Sequence, residues 1–419
     1  MTDPFTEADD SIQHAAFKFT SKPVKFTDII NISNRATAVL ESARDAMTVP
    51  YPRKQPPTYS LLQLAKLCGI DKTRLNYILQ QKEHDLPEGK MTGSNNRREF
   101  TLAESLQWVR HFMPHGQRPA GTKAKKIAVA NFKGGVTKST TAVSLAQGLS
   151  LRGHKVLLID LDPQATTTIM HGLMPDIEVR EEETIMPFIY GDEDDLRYAA
   201  KESYWQNVDL IPSNSFVSQA DFFLPSLQNR DSSFKFWEVL SAGIEPLLDS
   251  YDVVIFDTSP AQSYVTINAL MAADALIIPL PPKSMDFASS VQFWNLFSDF
   301  GKNFLKRSPE LADKQYDFIN IAPTLVNNSR GSTTSIKHWM HVAYPGLVIP
   351  TEISDASGAS NASLSFSTVY NFSNYSNENK AFKKTREECD AFVELVDLQL
   401  KNIWNSEVSS NEQSNQAVT

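Results

Sequence analysis

Lys126-Ile127-Ala128-Val129-Ala130-Asn131-Phe132-Lys133-Gly134-Gly135-Val136-Thr137-Lys138-Ser139-Thr140 is the stretch on which the fold turns. Lys126 to Ala130 reads as a buried strand, Asn131 to Val136 as a glycine-bearing turn, and Thr137 onward as a helix running through Leu149. A strand that feeds a loop opening a helix presents backbone N–H groups and a helix N-terminus to an anion, which suits phosphate. Gly134 and Gly135 let the backbone approach that anion closely. The remaining positions of the cradle are Lys133, Val136, Thr137, Lys138, Ser139 and Thr140. In it Lys138 neutralises phosphate charge and the Ser139 hydroxyl reaches Mg²⁺. The ordinary P-loop pattern is only half met, because Phe132 and Thr137 stand where its glycines belong. The variant pattern K-G-G-x-x-K-[ST] is met in full.

Two further strands agree with a nucleotide site. Lys155-Val156-Leu157-Leu158-Ile159-Asp160-Leu161-Asp162-Pro163-Gln164 is an apolar run ending in acids, and Val253-Val254-Ile255-Phe256-Asp257 is a second. Either alone also describes core ending in a solvated carboxylate. Strands alternate with helices from Lys126 to Trp404, which predicts an α/β domain with a mostly parallel sheet and flanking helices over 126–405. The acidic stretch Asp176 to Asp195 and the Ser- and Asn-rich stretch Ser354 to Asn379 read as surface loops, and 406–419 as a disordered tail.

The charge is unevenly spread. The chain totals -9, yet Tyr51 to Lys126 holds 14 Lys and Arg against 6 Asp and Glu, a balance of +8 that leaves -17 elsewhere. A basic segment in an acidic chain suits a local DNA-binding module, although a solvated charged face gives the same count. Ser60 caps a short helix, Gly69 makes a turn, and a second helix from Asp71 to Leu79 carries Lys72, Thr73, Arg74, Asn76 and Tyr77 outward. Pro87 to Phe100 reads as a basic hairpin with Arg97 and Arg98 as phosphate or minor-groove contacts, followed by a helix from Leu102 to Phe112. This predicts a small winged helix-turn-helix domain over 57–114, a linker over 115–125, and ahead of them an arm over 1–56. Ile30, Ala36, Val39, Leu40 and Ala43 in that arm suit an amphipathic helix that packs on its own chain or dimerises.

With these residues in place, the chain resembles the deviant-Walker ATPases of the ParA/MinD superfamily, and within it the larger ParA and RepA plasmid-partition proteins with an N-terminal DNA-binding domain. The resemblance implies ATP or ADP with Mg²⁺ as cofactors. It implies that Lys133 reaches across a nucleotide-sandwich homodimer, that Asp162 positions the attacking water, and that Asp160 supports the loop on the metal side. Asp257 would hold Mg²⁺ through water. Pro279, Pro281 and Asp286 would line the base and ribose. The family run D-x-P-P is replaced here by Asp257-Thr258-Ser259-Pro260. The partners implied are operator DNA, non-specific DNA under the ATP dimer, and a ParB-type centromere-binding protein that stimulates hydrolysis. A role as a nucleotide-switched repressor without segregation is the alternative.

Other classes fit poorly. Cys68 and Cys389 stand alone, without companions at metal-ligand spacing, so zinc and iron–sulfur sites lack ligands. The first residues have neither a basic region nor an apolar core of a leader, and the apolar runs stop at strand length. A cytoplasmic, nucleoid-associated protein is expected, and 406–419 offers no amphipathic membrane helix. Candidates for non-specific DNA contact are Lys302, Lys306, Arg307, Arg330, Lys337, Lys380, Lys383, Lys384 and Arg386.

Overall fold

A computed structural model of the chain describes residues 24–47, 54–81, 85–92, 97–113, 118–355, 366–372 and 380–418. It divides into two units, Met1–Arg44 and Asp45–Thr419. In the first lies most of helix α1 (Asp28–Met47), with Ile29, Ile30 and Val39 exposed. The predicted arm helix is therefore present. Ile32 is exposed as well, and Leu40 is half-buried.

The second unit starts with a small module. Strand β1 (Tyr59–Ser60) is followed by α2 (Leu61–Leu67), α3 (Lys72–Gln81), β2 (Lys90–Thr92), β3 (Arg97–Phe100) and α4 (Leu102–Phe112). The strands form an antiparallel sheet in the order β1-β3-β2. Ser60 caps α2 by accepting from Gln63 N while the Gln63 side chain accepts from Ser60 N, a capping box that fixes where the helix begins. Gly69 takes φ +66 in the turn between α2 and α3, a conformation costly for residues with a Cβ. Leu64, Leu75, Ile78, Phe100, Trp108 and Val109 make the module's own core. Tyr59, Leu102 and Leu106 join the core of the large domain instead.

The large domain continues with β4 (Lys125–Val129), α5 (Lys138–Ser150), β5 (Val156–Asp160), α6 (Thr166–Met170), α7 (Met186–Tyr190), β6 (Lys201–Glu202), β7 (Val208–Ile211), α8 (Ala220–Arg230), α9 (Val239–Ile244) and β8 (Val253–Asp257). Then come α10 (Tyr264–Ala272), β9 (Ala275–Leu280), α11 (Ser284–Arg307), β10 (Phe318–Pro323), α12 (Gly331–Ala343) and α13 (Lys380–Val418). Its seven strands run in the order β10-β9-β4-β8-β5-β7-β6, all parallel except the edge pair β6–β7. Alternate residues feed two cores. Ala128, Leu157, Ile159, Val254, Phe256, Leu276 and Ile278 face one layer. Ile127, Val129, Val156, Leu158, Val253, Ile255 and Ile277 face α5 and α13 on the other. Because both faces are covered, the central strands read as unbroken apolar runs rather than as alternation.

Three boundaries differ from the sequence reading. Residues 406–418, expected to be a disordered tail, continue α13 as helix, and Glu407 pairs with Lys125 at 2.6 Å. The acidic stretch 176–195, expected to be a surface loop, buries Ile185, Met186 and Ile189 in the first core; its acids lie on the outside of short helical turns. In the linker, Arg118 pairs with Asp252 at 3.4 Å, so this part is docked rather than loose. Most of the Ser- and Asn-rich stretch lies outside the described residues, but Val369–Asn371 forms a 3₁₀ turn with Tyr370 buried.

Candidate functional site

The site is built at the carboxyl ends of β4, β5 and β8, where an open parallel sheet leaves a crevice. Register sets it. Val129 pairs with Asp257 and Asp160 pairs with Asp257, which puts two carboxylates side by side next to the loop after β4. That loop, 130–137, is pinned by Asn131, whose Nδ2 donates to the Pro279 carbonyl at 2.9 Å and whose Oδ1 accepts from Lys133 N at 3.2 Å. Pro279 thus stands beside the loop within β9, and Pro281 is buried just beyond the strand.

Thr137 adopts φ +73, rare for a β-branched residue, at the position where an ordinary P-loop has glycine. Its hydroxyl donates to the Val136 carbonyl at 2.5 Å. Strain of this kind, of order 1–3 kcal/mol, persists where the surroundings hold it. Gly134 and Gly135 are exposed, and a Cβ on either would meet nothing in the chain. Thr140 is also exposed, within the first turn of α5.

Lys138 opens α5, is buried, and donates to the Lys133 carbonyl at 2.9 Å. Burial holds its ammonium below the usual lysine range, and the charges of Asp257 and Asp162 oppose that. Asp257 is fully buried, and burial pushes its carboxyl up to about 6 against the pull of the neighbouring Ser139 and Thr167 hydroxyls. Oδ2 of Asp257 accepts from Thr167 Oγ1 at 2.8 Å, whereas its Oδ1 is buried with no hydrogen-bond partner. A buried carboxylate oxygen without a partner is the mark of a missing donor or cation.

Asp160 has both oxygens engaged. Oδ2 accepts from Thr168 N at 2.9 Å and Thr168 Oγ1 at 2.7 Å, and Oδ1 from Asp162 N at 3.2 Å. Burial first, then the adjacent Asp257 charge, holds its carboxyl well above the usual range. Its contacts are those of a loop anchor, while Asp257 keeps the oxygen without a partner. Asp162 sits on the loop so anchored, with Oδ1 accepting from Gln164 N at 3.0 Å, and burial raises its carboxyl.

Lys133 forms an ion pair with Asp286, which is buried at the start of α11. Asp286 was assigned on the sequence to the nucleotide's base and ribose; here its partner is the lysine. Asn131, Thr167, Thr168 and Ser213 were missed, although the run Thr166-Thr167-Thr168 just after Asp160 to Gln164 offered a signal. Ser213 N donates to Thr168 Oγ1 at 2.9 Å.

In the small module, Lys72, Thr73, Arg74, Asn76 and Tyr77 are exposed on α3 while Leu75 and Ile78 point inward. Arg97 is exposed, whereas Arg98 is half-buried and donates to the Glu88 carbonyl at 2.7 Å. Residues 93–96, the rest of the hairpin, lie outside the described residues. Among the proposed non-specific contacts, Arg386 is buried against Asp390 and the Tyr370 ring, which removes it from the surface set. Lys302, Lys337, Lys383 and Lys384 are paired with acids, and Lys306, Arg307, Arg330 and Lys380 are exposed.

Comparison with known proteins places this geometry. Residues 124–309 match the family model described as AAA domain. Protein SopA of Escherichia coli strain K12 is 28% identical over 348 residues, 81% of this chain and 87% of that protein. A solved structure titled Partition Protein superposes with TM-score 0.60 at 18% identity, covering 88% of this chain and 96% of that one. The chain shares the fold of that solved structure. A Cyanothece McdA(D38A)–ATP complex shares the sheet over 64% of this chain and 97% of its own, with TM-score 0.50 at 23% identity. The overlaps with SopA and with Partition Protein take in more of the chain than residues 126–405 comprise, so they extend into the segments ahead of β4.

Proposed function

We propose that the chain is an ATP-hydrolysing DNA-partition protein that works as a nucleotide-dependent homodimer. The observation that carries this reading is the meeting, at the carboxyl end of the central strands, of a glycine-lined anion cradle, Lys133, Lys138, Ser139, Asp162 and a buried Asp257 oxygen that lacks a partner. The set fits ATP with Mg²⁺. Phosphates would lie on the loop amides of 134–140, and the cation would bind the Ser139 hydroxyl and, through water, Asp257. Among the described residues no three His, Cys, Asp or Glu side chains cluster to hold a metal, which suits a cation that borrows phosphate and water ligands. When bound, the cation neutralises charge that develops on the transferred phosphoryl group. Lys138 adds a second positive charge, and Asp162, anchored through Asp160, orients the attacking water.

Among the described residues named at this centre none is an arginine, so unassisted turnover should be slow, on the order of 10⁻³ to 10⁻² s⁻¹ as in switch NTPases. That suits a timer released by a ParB-type partner at the centromere. The exposed face of α3 and Arg97 supports operator binding by a winged helix-turn-helix module, and exposed Lys306, Arg307, Arg330 and Lys380 support non-specific DNA contact by the ATP form. A cytoplasmic, nucleoid-associated location goes with these partners. Among the described residues no helix is long and apolar enough to cross a membrane.

The same α3 face favours a second reading, a nucleotide-switched repressor that does not segregate DNA. Asp162→Ala separates the two: loss of plasmid segregation with operon repression intact supports partition, and segregation unchanged by this variant would sink it. The DNA module is tested on its own terms. Combined Arg74→Ala and Arg97→Ala should weaken binding to the chain's upstream DNA by roughly tenfold or more in a mobility shift, since each charge contact contributes about 1 kcal/mol or more. ATP turnover without DNA should stay nearly unchanged; equal loss of both activities would mean the modules are not separate.

A further inference from the structure

Lys54 is a lysine in an unusual place. It lies five residues ahead of β1, is only 5% exposed, and donates to the Met170 carbonyl at 2.7 Å and to the Phe366 carbonyl. Its ammonium also sits 5.7 Å from the centre of the Tyr204 ring. Among the described residues no carboxylate pairs with it. Burying an ammonium without a counter-charge is costly, and a well-packed apolar side chain would fill such a space more cheaply. Burial pushes the group down to about 8, so at neutral pH it is still mostly charged.

What the ammonium holds is the far end of α6. Met170 closes this helix, and His171 caps it with Nδ1 against the Thr167 carbonyl at 2.8 Å. The His171 ring stacks edge-on to Tyr204, and its buried Nε2 has no partner. The near end of α6 holds the nucleotide site: Thr167 donates to Asp257, and Thr168 donates to Asp160. Tyr204 adds a second route, because its hydroxyl accepts from Gln147 of α5, the helix that Lys138 opens. One short helix therefore has the magnesium-side carboxylates on one end. On the other it has a cation belonging to the segment that enters the small module.

We infer that Lys54 is a positioning residue for the nucleotide site, holding α6 so that Thr167 and Thr168 keep Asp257 and Asp160 in place, and that it couples nucleotide state to the DNA-binding module through β1. This rests on the nucleotide reading above. A five-residue helix held at both ends has little room to deform within itself, so a change at Asp257 should be carried to the carbonyl that Lys54 holds.

The test uses the full chain with Lys54→Met, which keeps the length of the apolar stem and removes the charge, and Lys54→Arg, which keeps the charge. Mg²⁺ half-saturation of ATP turnover should rise about tenfold in Lys54→Met, while binding of ATP in excess EDTA stays unchanged. Lys54→Arg should restore at least part of the loss. The ratio of affinities for a duplex of the chain's upstream DNA, with and without ATP·Mg²⁺, should fall toward one in Lys54→Met. If Lys54→Met fails to fold, Thr167→Val acts at the other end of α6 and should likewise abolish the ATP effect on DNA affinity. A folded Lys54→Met with wild-type Mg²⁺ dependence and wild-type ATP effect on DNA overturns the inference. So does a folded Thr167→Val in which that effect persists. A wild-type chain that binds no ATP overturns the nucleotide reading itself.

Discussion

Lys138→Ala is expected to lower ATP affinity by a hundredfold or more in a fluorescent-nucleotide titration, with little change in melting temperature. Lys138 is the buried cation between the loop and the two carboxylates, and it lies within reach of the Asp257 and Asp162 charges. Removing a charge-assisted donor from a phosphate site costs about 3 kcal/mol, which is about a hundredfold in affinity. A second loss adds to it. Without the ammonium, the carboxylates of Asp257 and Asp162 would repel the incoming phosphates unscreened. Affinity within about threefold of wild type would mean that phosphate does not bind at this loop.

Lys133→Ala should have a large effect of a different kind. In the single chain Lys133 is held by Asp286 and not by the loop, so its side chain contributes little to the cradle itself. ATP affinity is expected to stay within about threefold, in line with the ~1 kcal/mol or less of a partly exposed ion pair. Dimerisation in ATP·Mg²⁺, followed by light scattering, should be lost. A variant that dimerises as wild type would contradict the sandwich arrangement. The ion pair adds a condition that the sequence did not suggest: the lysine must leave Asp286 before it can reach a partner subunit.

Much of the fold was legible because its signals are local. The apolar runs Lys126 to Ala130, Val156 to Ile159 and Val253 to Phe256 stop at carboxylates or at a glycine turn, and each became a central strand. Ser60 and Gly69 set the ends of α2 by capping and by a positive φ, both properties of single residues. The failures lie where distant residues decide. Residues 406–418 are polar along their length and look soluble in isolation, yet they extend a helix already anchored by Trp404. The acids of 176–195 hid Ile185, Met186 and Ile189, whose burial depends on a core assembled elsewhere. Nothing near Lys54 says that it is buried, because its partners lie 116 and 312 residues away. Asp286 was placed by resemblance in the right neighbourhood, but its ion pair with Lys133 depends on how α11 meets the loop after β4.

The long reach of α13 bears on how the protein is made. Trp404 donates to the Lys123 carbonyl at 3.0 Å across 281 positions, and Glu407 grips Lys125 across 282, so the first strand of the large sheet is braced by residues far away in the sequence. Phe392, Val393, Val396 and Leu400 also roof the layer of α5. Closing so wide a loop is slow, and domains emerge from the ribosome as units. The strand that leads into the nucleotide loop therefore lacks this brace until residues some 280 positions later have joined it. The small module's core of Leu64, Leu75, Phe100 and Trp108 draws on residues close in sequence, so it can form well before the site that is to govern it.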